Sequence, residues 1–193
     1  MAIKADYVLD AKGLSCPMPI VKTQKEMKNL EEGRVLEVQA TDQGSKADIE
    51  AWAKSTGEQY LGTIEQDGVL KHYLRKSDSK KSEQTLTFNE KATLEEVAEK
   101  MNDKDVVILD VREQAEYAFN HIPGAISIPF GELGDRYDEL DKDAHIYVIC
   151  RTGNRSDYAA KDLYKKGFKK VKNVVPGMTD WTGPTTSVDA EKQ

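Results

Sequence analysis

The sequence is short of cysteine, of long apolar runs and of positive charge. It has two cysteines in 193 residues, Cys16 and Cys150. Two are too few for a disulfide scaffold or for a zinc site built on three or four cysteines, and no cofactor or metal is expected. Apolar runs are short, such as Val106-Val107-Ile108-Leu109, far below the roughly 20 residues a spanning helix needs. The opening Met1-Ala2-Ile3-Lys4-Ala5-Asp6 reaches an acid too soon for a signal peptide and has no apolar stretch. The expectation is a cytoplasmic protein in a reducing setting, without a membrane partner. Lys plus Arg number 28 against 34 Asp plus Glu, a formal net charge of −6, so direct nucleic-acid binding through phosphate contacts is not expected. What is present, 38% hydrophobic and 32% charged residues, suits a soluble chain with a real core. At roughly 100–200 residues per domain the length allows one large domain or two small ones.

Composition decides for two. Lys76-Ser77-Asp78-Ser79-Lys80-Lys81-Ser82-Glu83-Gln84 has no apolar residue and reads as a solvated linker. This predicts domains at 1–75 and 85–193 around a linker at 76–84, with one cysteine on each side. In the first, a short strand at 7–10 precedes a helix over 18–30 with apolar spacing at Ile20, Val21, Met27 and Leu30 and a stop at Gly33. A strand over 34–40 follows, then a helix over 45–56 with Ser45 as N-cap and Gly57 after it. Strands over 60–66 and 69–74 form a hairpin around Asp67-Gly68. The order βαβαββ predicts a two-layer α+β domain, two helices on a four-stranded sheet.

In the second domain, Leu86-Thr87-Phe88 is strand-like, and Thr93-Leu94-Glu95-Glu96 is a capping box opening a helix that runs to residue 101. The apolar runs at 106–109 and 146–149 suit strands buried on both faces. A helix over 156–165 and a strand over 171–175 complete an alternation that implies a central parallel sheet, with chemistry at the carboxyl ends of its strands. Asp110 and Cys150 occupy such ends.

Cys150 opens the loop Cys150-Arg151-Thr152-Gly153-Asn154-Arg155-Ser156. Successive backbone N–H groups ahead of a helix can cradle an anion there, and with Arg151 and Arg155 they favour a thiolate. Gly153 permits a tight curl. A buried cysteine closing a core strand is the plain alternative, and two arginines and a glycine within five positions argue against it. Such a thiolate can attack phosphate or sulfane sulfur. The phosphatase signature places His before the cysteine and Arg after five residues; here Ile149 precedes Cys150 and Arg155 follows after four, with Ser156 at the phosphatase position. The shorter loop favours sulfur. Together with Leu109-Asp110-Val111-Arg112, Glu116-Tyr117, His121-Ile122-Pro123-Gly124-Ala125-Ile126, Pro129 and Pro176-Gly177-Met178-Thr179-Asp180-Trp181, this half resembles the rhodanese sulfurtransferases over about 85–185. The resemblance implies an α/β fold and a Cys150 that cycles between thiolate and persulfide. Asp110, Arg112 and Glu116 read as a structural charge network, His121 as a turn or capping residue, and Trp181 as core or pocket wall.

Cys16-Pro17-Met18-Pro19 lies between strand and helix. Proline is favoured at a first helical position, which puts Cys16 at or next to the N-cap, where the helix dipole acidifies a thiol. A helix-start cysteine without function is the alternative. With Leu9-Asp10-Ala11-Lys12-Gly13-Leu14-Ser15 before it, and Ala40-Thr41-Asp42, Asp48-Ile49, Trp52 and Gly57 after it, the element resembles the TusA (SirA-like) sulfur carriers over about 6–75. That resemblance implies a persulfide on Cys16. The joint expectation is a sulfurtransferase that relays sulfane sulfur between Cys150 and Cys16. Its donor would be thiosulfate or a protein persulfide, and its acceptor a small thiol or a sulfur-carrier protein. Arg151, Thr152, Gly153, Asn154, Arg155 and Ser156 would bind the substrate. The competing class is a non-catalytic carrier or docking module.

Overall fold

The computed structural model describes residues 2–78 and 85–189. The chain divides into two compact units, 1–83 and 84–193. Of the predicted linker, 79–84 lies outside the described residues. Lys76 and Ser77 are still tied to the first unit: Lys76 exchanges backbone bonds with Gly33 and Arg34, and Ser77 N–H donates to Glu58 at 2.8 Å.

The first unit runs β1 (Tyr7–Ala11), α1 (Met18–Asn29), β2 (Val35–Ala40), α2 (Ser45–Thr56), β3 (Gln59–Gln66) and β4 (Val69–Arg75). Its four strands lie in the order β1-β2-β4-β3, with β1 and β2 parallel and the other pairs antiparallel. This is the predicted βαβαββ layer pair. The helices cover one face, where Met27, Leu36, Val38, Ile49, Ala53 and Leu74 are buried together. Two local expectations fail. α1 ends at Asn29 because Leu30 is extended, three residues ahead of Gly33. Gly44, not Ser45, caps α2; the Ser45 hydroxyl is taken inward by His72 Nε2 at 2.9 Å.

The second unit contains β5 (Lys91–Ala92), α3 (Leu94–Lys100), β6 (Val106–Asp110), α4 (Gln114–Phe119), β7 (Ile126–Ser127), α5 (Leu133–Arg136), β8 (His145–Ile149), α6 (Asn154–Lys165) and β9 (Val171–Val174). The five strands are parallel, in the order β5-β9-β8-β6-β7. β8 is central and covered on both faces, as its continuous apolar run demands: Ile146, Val148 and Ile149 are 0–1% exposed. Each such side chain contributes roughly 1.5–3 kcal/mol by burial. Thr93 caps α3 as expected, accepting from Glu96 N–H, but the Glu96 carboxylate turns to Tyr147 and Lys172 instead of completing the box. Leu86-Thr87-Phe88 is not a strand. The Thr87 and Phe88 amides donate to the buried carboxylate of Asp157 on α6, at 3.3 and 2.9 Å, so the pairing a strand would need is made with a side chain. Among the described residues no helix is long and apolar enough to cross a membrane.

Candidate functional site

In the second unit, Cys150 follows the central strand β8, and its side chain is 1% exposed. Gly153 N–H donates to Cys150 Sγ at 3.1 Å, and Ser156 Oγ lies 3.2 Å from it. Gly153 has φ 93°, a left-handed geometry that turns its N–H back onto the sulfur. The helix then starts at Asn154, two residues before the sequence-based position, because Gly153 already serves as its N-cap. The first-turn amides of Asn154, Arg155 and Ser156 have no intrahelical partners and are available to an anion held on Cys150.

The two loop arginines differ. Arg155 is committed to Glu116, with Nη1 and Nη2 at 2.8 and 3.2 Å from its carboxylate oxygens. Burial pulls the Arg155 pKa down, but Glu116 and the charge of Cys150 outweigh it and hold the guanidinium ionised. Arg155 is thus a fixed positive wall of the loop. Arg151 is half-buried. Its carbonyl accepts both the backbone N–H and the hydroxyl of Thr179, at 3.0 and 2.8 Å, while Met178 N–H donates to the Cys150 carbonyl at 2.8 Å. Thr152 is exposed at the loop crest.

Asp110 and Arg112 form a buried bidentate pair, 1% and 6% exposed, that also ties Arg112 to the Asn120 carbonyl at 2.6 Å. Removing one partner of such a pair costs about 3–5 kcal/mol. His121 is fully buried, donates from Nδ1 to the Tyr117 carbonyl at 2.7 Å and stacks on the Tyr117 ring at 3.7 Å. Trp181 packs beside Met178 against a core that includes Ile122 and Ile149. Asn173, in the middle of β9, donates to the Gly153 carbonyl at 3.1 Å and so braces the loop from below. Sequence reasoning missed it; the signal was a polar residue flanked by Lys172 and Val174 in a strand that has to be buried.

In the first unit, Cys16 is exposed. Pro17 is the N-cap of α1 and Pro19 lies in its first turn, so Cys16 stands one residue outside the helix. The expected acidification is reversed. Cys16 Sγ donates to Asp48 Oδ2, in the first turn of α2, at 3.2 Å. This bond holds the thiol pKa above its ordinary value, and burial and the charges of Asp48 and Asp42 add to the rise. The cysteine's own helix is only half of its electrical surroundings. The opposing carboxylate comes from the start of the other one.

Behind this site, His72 is fully buried on β4, with Nε2 on Ser45 and Nδ1 2.7 Å from Thr63 Oγ1, which bonds Tyr60 in turn. Burial lowers the His72 pKa to about 4, so the ring is neutral near pH 7. Among the described residues no cluster of His, Cys, Asp and Glu could hold a metal ion.

Two families match the chain: the rhodanese-like domain over residues 93–184 and sulfurtransferase TusA over residues 7–76. "Putative sulfur carrier protein YrkF" of Bacillus subtilis (strain 168) is 55% identical over 184 residues, which cover 95% of this chain and 99% of that protein. "Putative sulfur carrier protein YrkI" of the same organism is 53% identical over 74 residues, 38% of this chain and 99% of its own length. Its "Putative sulfurtransferase YtwF" is 42% identical over 83 residues, 43% of this chain and 80% of that protein.

Proposed function

The chain belongs to the family in which a TusA domain and a rhodanese-like domain are joined in one polypeptide, and on that premise we propose that it relays sulfane sulfur through persulfides on Cys150 and Cys16. The Cys150 thiolate attacks the outer sulfur of a donor such as thiosulfate. The new S–S bond leaves a Cys150 persulfide anion, and the donor's S–S bond breaks to release sulfite. The loop amides and the fixed guanidinium of Arg155 oppose the negative charge on both sides of that step. Arg151 is the loop cation with freedom to meet the incoming donor. The persulfide then exchanges with Cys16: Cys16 gains the outer sulfur as a persulfide anion, and its proton passes to the departing Cys150 thiolate. A protein persulfide could supply the same sulfur, and a small thiol or a sulfur-carrier protein could receive it. The exchange is chemically reversible.

The observation that carries this reading is the Gly153 N–H on Cys150 Sγ at 3.1 Å, with Ser156 at 3.2 Å, at the end of a central strand. The test is Cys150→Ser protein incubated with thiosulfate, with persulfide on the Cys16 peptide quantified by mass spectrometry. The expected result is loss of Cys16 loading; loading at the wild-type rate overturns the relay. The relatives named as sulfur carriers favour a second reading, a carrier or docking module without turnover. Thiocyanate formation from thiosulfate and cyanide separates the two: a relay fed by thiosulfate requires it and requires Cys150, whereas a pure carrier gives none.

A further inference from the structure

The two thiols have opposite electrical surroundings. Cys150 is met by an amide N–H, a hydroxyl and the guanidinium wall of Arg155. Cys16 is met by a carboxylate at 3.2 Å from α2, and Asp42, on the loop between β2 and α2, adds its charge. The two carboxylates flank Gly44: a Cβ built there would lie 3.7 Å from Asp42 Oδ2 and 3.9 Å from Asp48 Oδ2. Asp48 is half-buried, and its placement follows from α2, where its N–H donates to the Gly44 carbonyl at 3.2 Å. Its carboxylate stands beside an exposed sulfur.

We propose that Asp48 is a specificity-determining residue for Cys16: it holds the cysteine as a hydrogen-bonded thiol and restricts its sulfur exchange to partners that bring a positive group beside their reacting sulfur. A thiol is a poor nucleophile, and the thiolate is the reacting form. An anionic small donor such as thiosulfate approaches against the charges of Asp48 and Asp42 and leaves the thiol protonated. A partner whose cation pairs with Asp48 weakens the hydrogen bond at the moment of contact and lets the proton leave. In that exchange the outer sulfur of the donor persulfide bonds to Cys16 Sγ, the donor S–S bond breaks, and the proton of Cys16 goes to the departing thiolate. Atoms and charge balance without an added oxidant or reductant. Thiosulfate chemistry is thereby left to Cys150, and Cys16 is reserved for proteins. This rests on reading Cys16 as the carrier thiol, and its test does not depend on sulfur being carried.

The test is the rate of modification of Cys16 in the full chain by a cationic and an anionic methanethiosulfonate, read peptide by peptide in mass spectra. The thiolate attacks the sulfane sulfur of either reagent, and methanesulfinate leaves. In Asp48→Asn protein the cationic-to-anionic rate ratio at Cys16 should fall by about tenfold, the order expected for removing one exposed charge a few ångströms from the reacting sulfur. The pH profile of alkylation by neutral iodoacetamide should also move to lower pH, with several-fold faster reaction near pH 7. Asp48→Glu should restore much of the ratio, and Asp42→Asn should change it less, since Asp42 acts without a bond to the sulfur. A retained thermal unfolding transition of the first unit, which holds Asp48 and Cys16, reports an intact fold, and Asp48→Ser replaces Asp48→Asn should the latter lose it. An unchanged ratio, an unchanged pH profile, or equal shifts in Asp42→Asn and Asp48→Asn overturn the assignment. Absence of persulfide on wild-type Cys16 would instead overturn the relay and leave these readouts standing.

Discussion

Gly177 lies so close to the Cys150 loop that a Cβ on it would stand 2.6 Å from the Cys150 carbonyl oxygen and 2.7 Å from that of Arg151, at φ 110°. Both atoms are backbone and neither can turn aside. Gly177→Ala should destabilise the second unit by roughly 1–3 kcal/mol and abolish thiosulfate turnover, measured by thermal unfolding and thiocyanate formation. His72 gives a second residue-level outcome. Its folded pKa of about 4 lies below the ordinary 6.5, so between these values the unfolded chain takes up a proton that the folded chain refuses. Stability is full above about pH 6.5 and falls by a few kcal/mol as the pH drops toward 4. Urea midpoints across that window should decline in the wild type and flatten in His72→Gln. At this scale the contacts around Cys150 with Gly153 and Ser156 were legible, because its whole loop lies in local sequence. Asp48 as a partner of Cys16 was not, since it is 32 positions away and arrives only when β2 and α2 fold back. Asn173 was hidden for the same reason, its bond to Gly153 spanning 20 positions.

Elements were read well where period and turn residues agreed, as in α1, the hairpin at Asp67-Gly68 and the run that became β8. They were misread where a side chain replaced a backbone partner. The stretch at 85–88 has strand-forming residues, but its amides are satisfied by Asp157, which also pairs with Lys161 at 2.7 Å. Although burial alone would raise the Asp157 pKa, the bonds from Lys161, Phe88 and Thr87 prevail and hold it below the usual range. Asp157→Ala should free the stretch, with a loss of about 1–3 kcal/mol and a specific rise in hydrogen exchange at Thr87 and Phe88. Across α4 and α6, Glu116→Gln should release Arg155 from its fixed place. Turnover with thiosulfate should then fall while Cys16 modification by a neutral reagent stays unchanged, as the two lie in different units.

At the level of the whole molecule, the composition break at 76–84 marked the change between units, but the bonds of Lys76 and Ser77 to the first unit depend on Gly33, Arg34 and Glu58 and could not be read locally. A tether raises the effective concentration of one thiol at the other. With a protease site inserted within 79–84, transfer of labelled sulfur from Cys150 to Cys16 should be independent of protein concentration before cleavage. After cleavage it should slow on dilution, and rates that stay equal would mean that the tether contributes nothing. The latch at 85–88 has a practical consequence for anyone isolating the second unit. The family match spans 93–184, and a chain trimmed to that span would lose β5, both amides that cover Asp157, and Leu86, which stands 3.5 Å from where a Gly153 side chain would begin. At the other end it would lose Thr186, which exchanges backbone bonds with His121. Such a fragment would keep every residue of the Cys150 loop and lose these supports, so low activity in it would measure the trimming and not the protein.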